Sequence, residues 1–165
     1  MLFTATALAG AQNPAPPVSA KAPETQSAQT PDHARAYYHF MLARRFRELA
    51  GIWNRGDLAD RAVSEYKQAL EADPDSLFLR IELAELYWRV RRVGDAVREA
   101  EAVLKINPDY EDAHRLLARI YWSNLGEAQG ERVAKESLHK AIDHLEALTR
   151  INPSDAESWV VLGRL

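Results

Sequence analysis

The side chains able to do chemistry are few in kind. Five histidines are present, and His139 and His144 are the nearest pair. A spacing of five puts them on different sides of a helix, where they cannot share one metal ion. His33, His39 and His114 are scattered. Cysteine is absent from the sequence, which removes disulfides, thiolate zinc sites and cysteine nucleophiles. No Gly-x-Ser-x-Gly elbow, phosphate-cradling glycine loop or His-Glu-x-x-His occurs. Carboxylates are plentiful but mixed with arginine and lysine, as between Arg89 and Glu101, the pattern of a solvated helix face. The types that stand out are those of recognition, arginine and tryptophan. A protein without catalytic chemistry, metal or cofactor is the expectation.

Such residues need elements to position them, and the prolines divide the chain. Five of the eight prolines lie in the first 31 residues; the others are Pro74, Pro108 and Pro153. A proline inside a helix costs about 3 kcal/mol, so these three sites are boundaries with helical stretches between them. Gly56 and Gly94 fall midway, where a hairpin of two helices must turn. No stretch alternates with the period of a half-buried strand, so the chain is expected to be all-α. The 165 residues are 47% hydrophobic and 27% charged, enough for a folded core. A net charge of -3 supplies no basic field for nucleic acid or an anionic membrane.

Residues 1–30 differ in kind. Leu2 to Ala9 is a short apolar run, followed by a Pro/Ala/Ser/Gln-rich tract, and Ala9 and Ala11 suit signal peptidase. The basic residues that normally precede such a run are missing. Either the true start lies upstream or the segment is an apolar, flexible tail; a signal peptide and a periplasmic or otherwise exported protein is the favoured reading, a cytoplasmic one the alternative. No other long apolar stretch occurs, so no transmembrane segment is expected. Thr30-Pro31-Asp32 reads as a helix start, with Thr30 as cap and Pro31 at the first position. The helix is expected to run through Tyr37, Tyr38, Phe40 and Met41, which would cap the N-terminal edge of the fold.

A repeat underlies the helices. Pro74 to Pro108 is 34 residues, and a shift of that length brings Leu49, Leu83 and Leu117 into line, as it does Ala50, Ala84 and Ala118. Trp53 meets Tyr87 and Tyr121; Ala62 meets Ala96. Ala72-Asp73-Pro74-Asp75, Ile106-Asn107-Pro108-Asp109 and Ile151-Asn152-Pro153-Ser154 close successive units. Leu, the small residue and the aromatic share one helical face, and the alanines let a paired helix approach closely. Asp57 and Asp95 are placed to cap the second helices, and Ser154 with Glu157 reads as a capping box.

With these residues in line, the sequence resembles the tetratricopeptide repeat family, whose unit is a 34-residue helix–turn–helix. The first unit matches the family pattern at Phe46, Leu49, Ala50, Trp53, Ala62, Tyr66, Ala69 and Pro74. The second matches at Leu83, Ala84, Tyr87, Ala96 and Pro108, departing at Arg80 and Ala100. A fourth begins with Trp159, Leu162 and Gly163. The resemblance implies an all-α, right-handed α-solenoid of antiparallel helix–turn–helix repeats over residues 31–165. The units run about 43–76, 77–110 and 111–155, then a truncated 156–165. Pro108 to Pro153 is 45 residues, an 11-residue insertion expected as a longer turn around Leu125 to Glu131 plus an extended second helix. The apolar start of a helix at Trp159–Leu165 has no partner helix, so a longer array is expected, or pairing of that uncapped C-terminal face with another copy.

The resemblance also implies a binding face, since the first helices of such a stack line its concave side. The positions left free by packing there include Arg47, Phe78, Ile81, Glu85, Trp88, Arg89, Arg115, Arg119 and Trp122. Trp88 and Trp122 are equivalent sites of adjacent units and are expected side by side. The face suits an extended protein or peptide partner, with acidic or carboxylate groups held by arginine and apolar parts packed on tryptophan. Equally, the tryptophans can be filling space and the arginines pairing with Glu85 and Asp112. Some relatives grip C-terminal carboxylates with a Lys/Asn/Asn/Lys/Arg clamp. The matching sites here are Arg47, Gly51, Glu82, Asp112 and Leu116, and only Arg47 keeps the charge. Protein–protein scaffolding is thus the expected role. The alternatives are a structural or self-assembling module, or a regulatory arm of a larger protein with domains beyond residue 165.

Overall fold

The three isolated prolines each terminate a helix at the same offset. In the computed structural model, which describes residues 31–126 and 130–165, α2 (Gly56–Ala72), α4 (Val93–Ile106) and α6 (Glu131–Ile151) stop two residues before Pro74, Pro108 and Pro153. The residue before each proline is forced out of helical geometry: Asp73, Asn107 and Asn152 have φ of -137°, -129° and -130°. The next helices, α3 (Leu77–Arg89), α5 (Glu111–Leu125) and α7 (Ala156–Leu162), begin three residues after the proline. With α1 (His33–Trp53), the described residues are helical and connecting segments only.

Each odd-numbered helix packs chiefly on the even-numbered one that follows, so α1/α2, α3/α4 and α5/α6 are antiparallel hairpins, and α7 packs on α6. The seams are built on small residues. Ala62, Ala96 and Ala141 are fully buried at equivalent positions of the three second helices, and Ala84 and Ala118 are buried on α3 and α5. Leu83, Leu117, Tyr87 and Tyr121 complete a core running from Ala43 to Ala141. A leucine buried among such neighbours contributes about 2 kcal/mol over an exposed one. The hairpins are tied together by polar links as well. Tyr66 of α2 donates to Glu82 of α3 at 2.9 Å, and Arg47 of α1 reaches the same oxygen at 2.7 Å. Burial first, and the Glu82 charge second, push the Tyr66 hydroxyl well above its usual range.

Several local expectations are corrected. The turns do not fall on the glycines: Gly56 and Gly94 lie in the first turns of α2 and α4. The left-handed residues are Asn54 (φ 50°) and Arg91 (φ 64°) instead. Asn54 ends α1 two positions earlier in register than α3 ends and four earlier than α5 ends, and Trp53 does not share the burial of Tyr87 at the equivalent position. It is 57% exposed, while Tyr87 is buried. Asp57 and Asp95 are inside the first turns rather than capping them, where they favour the helix dipole and pair with Arg55, and with Arg92 and Arg98. The cap of α7 is Asp155, which accepts from the Ser158 N–H, while Ser154 bonds Asn152. At the start of α1 the cap is Asp32, accepting from the Arg35 N–H at 3.0 Å. Pro31 therefore precedes the helix. Of the four leading apolar residues only Phe40 packs inward, against Tyr66 and Phe78; Tyr37, Tyr38 and Met41 stay exposed. The apolar run, Ala9, Ala11, the Pro/Ala tract and Thr30 lie outside the described residues.

The insertion is mostly helix. Compared with the preceding hairpin, α6 has 21 residues against 14, α5 has 15 against 13, and the connection Gly126–Gly130 has five against three. So seven of the 11 extra residues lengthen the second helix. No described helix is long and apolar enough to cross a membrane.

Candidate functional site

The first helices bring most of the nine expected residues to surfaces of α1, α3 and α5, but not all. Ile81 is 6% exposed and belongs to the core. It immediately precedes Tyr66's partner Glu82 and packs in the core, so it is unavailable to a ligand. Phe78 is 49% exposed and meets Phe40 edge-on at 5.3 Å. Trp88 is half-buried against the core and carries the Arg119 guanidinium at 4.6 Å from its ring. Trp122, one repeat later, is 44% exposed. No ring contact joins Trp88 to Trp122 among the described residues. Arg119, not the second tryptophan, occupies the face of the first.

The arginines are largely held by carboxylates of the chain. Arg47 pairs with Glu82, Arg89 with Glu85 at 4.0 Å, and Arg119 with Glu85 at 3.8 Å. Arg115 pairs with Glu111 and, across to α7, with Asp155 at 3.3 Å; Asp112 is not its partner. The Ser158 hydroxyl at 2.7 Å, with Arg115 beyond it, holds the Asp155 carboxyl below its usual range. Arg115 therefore acts first as the strut joining α5 to α7.

Two clefts result. One, of about 430 Å³, lies where α5, α6 and α7 meet. Its floor is apolar, with Ala118, Leu145, Leu148 and Val161, and its rim carries Trp122, Arg115, Arg119 and Arg164 against the single carboxylate Glu157. Leu145 and Leu148 come from α6, and Val161 and Arg164 from α7 and its end. Sequence reasoning confined to the first helices missed all four. A shift of 45 residues, the length of the inserted unit, would have aligned Arg164 with Arg119. The other cleft, of about 410 Å³, lies at the turn ends of α1, α2 and α3 and is lined by Arg47, Arg55, Arg89 and Arg91 with no acidic residue. Gly51 and Ala50 form part of its wall.

One polar pair, buried at His114 and half-buried at His144, lies away from both clefts. His114 of α5 and His144 of α6 face each other Nδ1 to Nδ1 at 3.0 Å. His114 Nε2 lies 2.8 Å from the Pro108 carbonyl, to which it must donate, so its Nδ1 accepts from His144. The His144 ring stacks on Tyr121. Burial first, and His114 second, lower His144 from 6.5 to about 4. Among the described residues no group of three or more His, Cys, Asp or Glu side chains is placed to hold a metal ion.

Comparison with known proteins agrees with this architecture. Residues 57–120, from α2 through most of α5, match the Tetratricopeptide repeat family profile. The match begins after α1, the helix whose register departs from the others. An inactive TPR repeat-containing thioredoxin of Arabidopsis thaliana is 35% identical over 81 residues, 49% of this chain but only 11% of that protein's length. Among solved structures, the first TPR domain of Spaghetti, bound to the HSP90 peptide SRMEEVD, superposes with a TM-score of 0.61 at 18% identity, over 81% of this chain and 92% of that one. A thermophilic TPR protein of Thermus thermophilus gives 0.63 at 19% identity, over 78% and 63%. MamA gives 0.60 at 17% identity, over 81% and 67%. Proline-bounded hairpins, alanine seams in register, a profile match across four helices and a shared fold point one way: residues 57–120 carry tetratricopeptide repeats, and the described helices have the fold of solved tetratricopeptide repeat proteins.

Proposed function

We propose that this chain is a non-catalytic scaffold that holds a partner protein or peptide against its first helices, with the cleft between α5, α6 and α7 as the principal seat. One observation carries the reading: an open apolar floor ringed by Trp122 and three arginines. Such a cleft takes an apolar anchor in its base and polar or acidic groups at its rim. The bound peptide in the Spaghetti domain supports a peptide as partner, because the two folds superpose. The C-terminal carboxylate clamp is not proposed here. Its one retained cation, Arg47, is neutralised by Glu82, and Leu116 is buried.

The test is a pull-down from source-cell extract with the full chain and with a Trp122→Ala plus Arg119→Ala double variant, both first shown equally helical by circular dichroism. A partner retained by the parent and lost by the variant supports the cleft; equal capture refutes it. Self-assembly is a second reading, favoured by Trp159 and Val160, each more than half exposed on α7. A mass that rises with concentration would support it. A regulatory role within a longer polypeptide is the third, and a full-length transcript would decide it. Export to the periplasm rests on residues 2–11 alone, and fractionation of cells expressing the chain tests it.

A further inference from the structure

The third and fourth repeats meet around a charge pattern that the second and third resolve internally. Between the second and third, Glu85 lies 3.8 Å from Arg119, and the Arg119 guanidinium lies over the Trp88 ring at 4.6 Å. Carboxylate, guanidinium and indole form one cluster. Moving one repeat along, Trp88 becomes Trp122 and Glu85 becomes Arg119 at a shift of 34. Arg119 becomes Arg164 at the 45-residue shift that also aligns Leu117 with Leu162. The second cluster therefore has its indole and its guanidinium, but an arginine stands where the carboxylate should be.

Both arginines and Trp122 line the same cleft. Arg164 is exposed and makes no ion pair among the described residues, and Trp122 is 44% exposed where its counterpart Trp88 is covered. The one acidic lining residue, Glu157, stands in the first turn of α7, where the helix dipole already favours its charge. Arg115 is taken by Glu111 and Asp155. Arg164 and Arg119, the latter only loosely met by Glu85 at 3.8 Å, are two like charges on one rim and raise the cleft's affinity for an anion.

We infer that the cleft between α5, α6 and α7 is a seat for a glutamate or aspartate side chain of the bound peptide, its carboxylate set between Arg119 and Arg164 beside the Trp122 ring. The ligand carboxylate completes the cluster as Glu85 completes the one before it. The floor of Leu145, Leu148 and Val161 receives an adjacent apolar side chain, so the preferred motif pairs an apolar residue with an acidic one. This rests on the groove reading above and specifies its chemistry.

The test is fluorescence anisotropy with two rhodamine-labelled hexapeptides, Leu-Glu-Glu-Leu-Glu-Glu and Leu-Gln-Gln-Leu-Gln-Gln, titrated with the full chain in low salt. The expected result is a preference for the glutamate peptide of at least about tenfold, since charge-assisted bonds to arginine are about twice as strong as neutral ones. Arg164→Glu should abolish that preference without lowering the melting temperature, because it places a carboxylate opposite Arg119 as Glu85 is placed. Arg164→Lys should keep most of it. Equal binding of the two peptides, both lost with Trp122→Ala, would overturn the carboxylate seat while leaving the groove in place. A glutamate preference that survives Arg164→Glu would overturn it too, placing the anion elsewhere. Failure of both peptides to bind would count against seat and groove together.

Discussion

Acid should loosen this fold through one side chain before its carboxylates titrate. His144 lies against His114 and Tyr121, with its affinity for a proton lowered from 6.5 to about 4 by burial and by His114. In the unfolded chain its affinity returns to the ordinary value, so between pH 6.5 and 4 the unfolded state binds the extra proton. Its contribution is therefore fully present above pH 6.5 and is lost as pH falls toward 4. At about 1.4 kcal/mol for each pH unit the loss is at most about 3.4 kcal/mol; the ring is only partly buried, and solvent screening brings this nearer about 2 kcal/mol. Urea unfolding of the parent and of His144→Gln at pH 7.5, 6, 5 and 4.5 measures it. The glutamine can still donate to His114 but does not titrate. The parent should lose about 2 kcal/mol more than the variant across that range. Parallel losses in the two proteins would refute the assignment, and so would a parent whose stability is flat from pH 7.5 to 4.5.

Three further outcomes follow from the packing. Gly56→Ala and Gly94→Ala should each raise stability by about 0.5 kcal/mol, because both glycines are helical and an added Cβ meets nothing within 4 Å; the urea midpoint of each variant is the readout. Trp53→Ala should change stability by less than about 0.5 kcal/mol and Tyr87→Ala should cost about 3 kcal/mol, although the repeat register pairs the two positions. Comparable costs would restore Trp53 to the core. Glu82→Ala should cost about 2 kcal/mol in thermal or chemical unfolding, since it strips the fully buried Tyr66 hydroxyl and Arg47 of their common acceptor.

Much of this architecture was legible because it depends on backbone rules that act locally. A proline disfavours helical geometry at the residue before it and removes a helix hydrogen bond, so the ends of α2, α4 and α6 could be read from Pro74, Pro108 and Pro153. The alanine seams were equally legible, since two helices can approach closely only over small side chains. The hairpin turns were not. Asn54 and Arg91 adopt left-handed geometry to suit how α2 and α4 dock, and no local preference of an arginine announces that. With α1 ending earlier in register than α3, Trp53 stands in its last turn and is exposed. Ile81 was misplaced for a related reason. A helix held between two hairpins buries more than one stripe, and a residue counted as facing the groove can lie in the second stripe. Arg164 was missed because the inserted unit changes the repeat length from 34 to 45, so counting by 34 never reaches it.

The central claim is that partners are held at the cleft of α5, α6 and α7, and site-specific photo-crosslinking tests it most directly. Benzoylphenylalanine would replace Trp122 at the cleft rim in one protein and exposed Lys67 on α2, away from it, in another. Each would be irradiated in the cells that make the chain. The account predicts discrete higher-mass adducts from position 122, competed by excess parent protein, and none from position 67. Adducts of equal yield from both positions, or from position 67 alone, would contradict it.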